Sequence, residues 1–150
     1  MSHNEFLSKD ELQKISDKIG EIEQSTSGEI RVSIHRKTGI FSKGKSTKEL
    51  AFNEFTKLKL GNTREKTGLL FFILLERKEF FLLADEGLHK KLQEGFWDEE
   101  TKKVSAHFKQ NKFIDGILEV LTDIGLILQE HFPSDKRDNP NEQSNEVVMK

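Results

Sequence analysis

The chain has no cysteine, which removes disulfides, thiolate metal ligands and thiol nucleophiles together and fits a reducing compartment. It also lacks an excess of one charge. Lys and Arg number 24 against 26 Asp and Glu in 150 residues, a net charge of −2. Nothing therefore draws it generally to nucleic acid or to an anionic membrane surface. Long apolar runs are missing too. The longest, at 68–75, falls far short of the ~20 residues of a membrane helix, so no direct membrane insertion is expected. The opening Met1-Ser-His-Asn-Glu-Phe6 has no basic segment leading into an apolar one. No signal peptide is read there, and a cytoplasmic location is expected. The five histidines show no paired metal spacing, and no nucleophile elbow or zinc-protease motif occurs.

What is present is organised around residues 68–85. Gly68-Leu-Leu-Phe-Phe-Ile-Leu-Leu75 is apolar throughout, Glu76-Arg-Lys-Glu79 is polar, and Phe80-Phe-Leu-Leu-Ala84 leads to Asp85. A strand apolar at every position must be covered on both faces. So short a connection joins the two runs only as an antiparallel hairpin. Upstream, Ser8-Lys-Asp-Glu11 reads as a capping box for a helix carrying Leu12, Ile15, Ile19 and Ile22. Residues 29–35 alternate, Ile30, Val32 and Ile34 against Glu29, Arg31, Ser33 and His35, which predicts a half-buried strand at a sheet edge. A second capping box, Ser46-Thr-Lys-Glu49, starts a helix with Ala51, Phe55 and Leu58 on one face. Strand, helix, strand is a crossover unit, so the strands at 29–35 and 69–75 are expected to run parallel. Asp98 is read as the cap of a further helix, and 113–132 as a long last helix that is deeply buried or lies in a homodimer contact. Length bounds this to one α/β domain over 1–133. The polar tail at 134–150 is expected to be disordered.

Gly39-Ile-Phe-Ser-Lys-Gly44-Lys45-Ser46 matches the phosphate-binding P-loop pattern between a predicted strand and a predicted helix. Three physical points oppose nucleotide binding at 39–46. The strand before it carries Arg31, Ser33 and His35, where a P-loop strand is apolar. Ser46 already serves as a helix cap. The aspartate that would hold magnesium, Asp85, leaves the opposite edge of the sheet, roughly 20 Å away for strands of this length.

That opposite edge gathers the starts of two parallel strands and the end of the hairpin. It brings Thr67 and Gly68 together with Glu29 on one side and Asp85 and Glu86 on the other. Carboxylates with a hydroxyl are hard oxygen donors of the kind calcium or magnesium takes. Asp85, Glu86, Thr67 and Glu29 are therefore the candidate metal ligands. His89, just after this edge, is the histidine placed to join any chemistry there, and solvated turn and cap residues are the bland alternative.

The stretches Thr26-Ser-Gly-Glu-Ile-Arg-Val32, the helix containing Phe55, Thr63, Gly68-Leu-Leu70, Ala84-Asp-Glu-Gly-Leu88, Phe96-Trp97, Phe113-Ile-Asp-Gly-Ile117 and His131-Phe-Pro133 together resemble the TPM domain. That family is named for a thylakoid lumen protein, a photosystem II repair protein and a worm receptor modulator. The similarity is closest to its short soluble branch and covers about 6–133. The resemblance implies a three-layer α/β/α sandwich with a small mixed sheet. It also implies weak acid phosphatase activity, divalent-metal binding, or an accessory role in assembling membrane complexes. Where family members commonly have Asn or Asp before the central strand, this chain has Thr67. Where they have Gly before the hairpin aspartate, it has Ala84. The acid that often precedes the first helix is matched only by Asn4 or Glu5. The resulting expectation is a binding or accessory module with a weak calcium or magnesium site and an unidentified protein partner. The rival is a metal-assisted phosphatase acting on phosphomonoesters through Asp85, Glu86 and His89.

Overall fold

A computed structural model describes residues 7–62, 66–92, 94–134 and 147–149. The expectations attached to Asn4, Glu5 and Thr63, and to the tail at 135–146 and 150, lie outside them. The chain divides into two compact units, Gly28–His89 with Glu146–Lys150, and Met1–Ser27 with Lys90–Asn145.

The first unit is the sheet. Its strands are β1 (Glu29–His35), β2 (Gly68–Leu74), β3 (Glu79–Ala84) and β4 (Val148–Met149), in spatial order β3-β2-β1-β4. β1 and β2 are parallel, from Glu29 opposite Gly68 to His35 opposite Leu74. β2 and β3 are antiparallel, from Leu69 opposite Ala84 to Leu74 opposite Glu79. The hairpin and the parallel crossover thus form as their lengths dictate. The hairpin turn closes through the 3₁₀ turn Leu75–Arg77 and Lys78, whose φ of 54° is left-handed. Within the tail, Val148 and Met149 pair in parallel with Ser33 and Ile34.

α2 (Thr47–Lys57) packs on one face of the sheet. Ser46 caps it, accepting from the Glu49 N–H at 3.1 Å. Ala51, Leu60, Leu70, Phe72 and Leu74 are buried together there, joined by Leu50, Phe55, Leu58, Phe81 and Leu83. Side chains alternate along a strand, so Leu69, Phe71 and Ile73 occupy the other face, where they too are buried.

One expectation is corrected. β1 is not a half-solvated edge strand: it lies between β2 and β4, and its polar face is covered. Glu29 is 4% exposed, Arg31 8% and Ser33 0%. At its C-terminal half the reason is α2, whose Glu54 carboxylate meets Ser33 and His35.

The second unit consists of α1 (Lys9–Glu23), α4 (Glu94–Lys109) and α5 (Phe113–His131). The four-residue α3 (Glu86–His89) belongs to the sheet unit. The Ser8–Glu11 capping box forms with both of its bonds. α4 begins at Glu94, so Asp98 lies inside the helix and does not cap it. In α5, Ile117, Val120, Leu121, Ile124 and Leu128 are fully buried, and the helix packs against α1 and α4. Only Leu126 among its large apolar residues is markedly exposed. Gly125 admits α1 closely: a Cβ there would stand 2.9 Å from Ile22 Cγ1.

Candidate functional site

The edge where β1 and β2 begin and β3 ends is assembled by backbone pairing. Glu29 lies opposite Gly68 in the register, and the Asp85 N–H donates to the Gly68 carbonyl at 2.8 Å. Asp85, Gly68 and Glu29 therefore form a row across three strands, with outer Cα atoms about 10 Å apart. The 3₁₀ turn Leu60–Asn62 lies directly on the middle of that row. A Cβ on Gly68 would stand 2.3 Å from the Leu60 carbonyl oxygen, so only glycine permits the approach. The same turn carries Gly61, whose Cβ position is 3.9 Å from Asp85 Oδ2. Lys59 and Lys66 flank this connection with φ of 59° each, and Lys66 Nζ donates to the Gly61 carbonyl at 2.9 Å.

Asp85 is the group of interest. Its Oδ1 accepts from the Glu86 N–H at 2.8 Å, and its carbonyl accepts from the N–H groups of Leu88 and His89. These bonds start α3. Its Oδ2 is shielded from solvent and has no hydrogen-bond partner among the described residues. An orphaned carboxylate oxygen is costly unless something satisfies it. Glu29, at the other end of the row, is buried with interactions of its own. Thr67 is fully buried. Strand alternation puts it on the sheet face away from Gly68, so it is not brought together with Glu29 and Asp85. Glu86 and His89 are exposed at the rim. Thr26 belongs to the other unit: its hydroxyl donates to the carbonyls of Leu128 and Phe132 at the end of α5. Among the described residues no group of three or more His, Asp or Glu is placed to hold a metal ion. The donors at this edge are the hard oxygens calcium and magnesium take. They fall short of a closed cage of about six to eight.

At the other end of the sheet lies a polar cluster that sequence reasoning missed. Ser33 Oγ donates to Glu54 Oε2, and His35 Nε2 lies 3.1 Å from that oxygen and 3.2 Å from Ser33 Oγ. This is a closed triangle and not a catalytic relay, in which serine and acid engage opposite ring nitrogens. Ser33 is, besides, fully buried. One signal was available. Glu54 falls on the apolar stripe of α2 with Ala51 and Leu58, an acid where a core residue is expected.

Residues 39–46 turn their amides inward. Ser42 N–H donates to the Gly39 carbonyl and Lys45 N–H to the Ser42 carbonyl, at 2.9 and 3.0 Å. The hairpin turn pins this loop. Glu76 Oε2 accepts from the Thr38 N–H at 2.7 Å, which holds the Glu76 carboxyl below its usual range. Arg77 Nη1 donates to the Lys45 carbonyl at 2.8 Å. Asp85 stands at the far end of the seven-residue strand β2, roughly 20 Å from the loop.

The TPM domain family pattern matches residues 1–126. The chain belongs to the TPM domain family. Its fold agrees. The BA42 protein of the psychrophilic bacterium Bizionia argentinensis, solved by NMR, is similar at 30% identity and a TM-score of 0.86, over 99% of each chain. The N-terminal domain of a protein from P. gingivalis is similar at 18% identity and a TM-score of 0.69, over 87% of this chain and 81% of that one. The N-terminal domain of the cg2496 protein of Corynebacterium glutamicum gives 12% identity and a TM-score of 0.63, over 89% and 81%. These last two bear on the fold alone. A comparison with curated proteins gives no match. Among the described residues of this TPM domain, no helix is long and apolar enough to cross a membrane.

Proposed function

We propose that this TPM domain is a binding or accessory module that takes a divalent cation weakly at the Gly68–Asp85 edge. One observation carries the reading: Asp85 Oδ2, buried and without a hydrogen-bond partner among the described residues, beside the turn that lies on Gly68. Asp85 is the principal ligand and Glu29 the neighbouring carboxylate, with Glu86 at the rim. The incomplete donor set favours calcium or magnesium that keeps its own water. The test is an NMR titration of the full chain with each ion. Amide shifts confined to 29, 60–62, 66–68 and 85–89, and their loss in Asp85→Asn, are expected. Absence of shifts there at millimolar cation refutes the proposal.

The matching family model is labelled TPM phosphatase, which favours a second reading at the same edge, hydrolysis of small phosphomonoesters. A bound cation would supply polarisation of the phosphoryl oxygen. This chain would supply Asp85 to hold the ion and the exposed His89 and Glu86 to carry protons. Hydrolysis of p-nitrophenyl phosphate that requires magnesium and disappears in Asp85→Asn supports it. Activity unchanged in that variant rules it out.

A further inference from the structure

We infer that the cleft at the C-terminal ends of β1 and β2 is a binding site for a small oxyanion, a carboxylate or a phosphate group. Its volume is about 210 Å³, and it lies between the chain leaving β1 and the second half of α2. In α/β sheets, ligands sit beyond the carboxyl ends of the parallel strands, and this is that end of the parallel pair. The site lies at the opposite end of the strands from Asp85 and shares no residue with the proposed cation edge.

The lining has the chemistry of an anion site. Lys37 and Lys57 supply two cations, His35 and Asn53 supply further polar groups, and Phe72 and Leu74 form an apolar floor. Such a floor lowers the local dielectric and strengthens the field of the lysines. Lys57 makes no ion pair among the described residues. The one acid in the lining is Glu54. Its Oε2 is engaged by Ser33 and His35. Thr38, also in the lining, is held by Glu76 of the hairpin turn, whose carboxyl accepts from its N–H at 2.7 Å.

Size narrows the ligand. At about 30 Å³ per water the cleft holds roughly seven waters, below the ~300–1,000 Å³ of pockets that enclose drug-sized ligands. It suits an anionic head with a few further atoms and does not enclose a nucleotide. Gly39 and Ser42 line it, so the stretch that imitates a P-loop contributes through lysine side chains beside it and not through a nest of amides.

The experiment is an NMR titration of the full chain with inorganic phosphate and, separately, acetate, against chloride at matched ionic strength. Saturating shifts are expected at 37–39, 42, 53–54 and 57. Lys37→Met or Lys57→Met each weaken the affinity about three- to tenfold, as expected for losing one charge-assisted contact, and the double variant abolishes it. Tighter phosphate than acetate identifies a phosphoryl ligand, and the reverse a carboxylate. No saturating shift with either anion up to tens of millimolar, or unchanged shifts in the folded double variant, overturns the inference.

Discussion

Replacing Gly68 by alanine tests how the cation edge is built. The added Cβ would meet the Leu60 carbonyl oxygen at 2.3 Å, its carbon at 3.1 Å and Leu60 Cβ at 3.2 Å. The first two are backbone atoms and cannot rotate away. Leu60 itself is fully buried, so the turn Leu60–Asn62 has to lift off β2. No glycine in the described chain has positive φ, so the cost comes from space and not from backbone conformation. Overpacking of this kind costs about 1–3 kcal/mol. Reduced freedom of the unfolded chain returns less than about 1 kcal/mol. For a chain of this size a net loss of up to about 2.5 kcal/mol lowers Tm by up to about 8 °C. Urea unfolding followed by far-UV circular dichroism reads the loss, with Gly44→Ala as the control. Nothing lies within 4 Å of a Cβ at Gly44, so that variant should be neutral or slightly stabilised. Lifting the turn also moves Gly61 away from Asp85, so calcium shifts at 85–89 should weaken together with stability. A Gly68→Ala protein as stable as Gly44→Ala would refute the packing argument.

Three further outcomes follow from other parts of the molecule. Gly125→Ala pushes a Cβ against the Ile22 side chain and should cost about 1–3 kcal/mol. Because that neighbour is a flexible side chain, Ile22→Val should recover part of the loss in a double-mutant cycle, and strict additivity would exclude the contact. Glu100 is 2% exposed. Its carboxyl is pushed up to about 7 by burial, helped by the hydrogen bond and charge of Asp123 and opposed by Lys103. An acid raised in the folded state destabilises the fold as pH rises from its ordinary value of 4.5 through 7, here by on the order of 1–3 kcal/mol. Glu100→Gln should flatten that fall between pH 5 and pH 8 (~3 units of the range where it titrates), and an identical pH profile would count against it. Ser33→Ala removes a donor to the buried Glu54 carboxylate and should cost about 1–3 kcal/mol in urea unfolding; a smaller change would mean His35 alone satisfies that oxygen.

The features that could be read from the sequence are those decided over a few residues. The two capping boxes, the hairpin and the parallel crossover depend on spacing and connection length, and the register from Glu29–Gly68 to His35–Leu74 follows from them. The row of Glu29, Gly68 and Asp85 follows too, because two parallel strands and one return place their ends without any knowledge of packing. The remaining features depend on contacts distant in sequence. Alternation alone cannot say whether the polar face of β1 meets water or a helix. Here α2 delivers Glu54 to Ser33 and His35 across 21 and 19 residues. The Leu60 carbonyl over Gly68 is hidden for the same reason, as is the start of α4 at Glu94. The two ends of β2 therefore carry different residues. The strand starts and the returning β3 bring Glu29 and Asp85 to one edge, while Lys37 after β1, Lys57 of α2 and Arg77 of the hairpin turn lie with Glu54 and Glu76 at the other. A cation bound at the first and an anion bound at the second would be held apart by the full length of the same apolar strand. Loading one site should leave the shifts of the other unchanged, and coupled titrations would show that β2 does not insulate them.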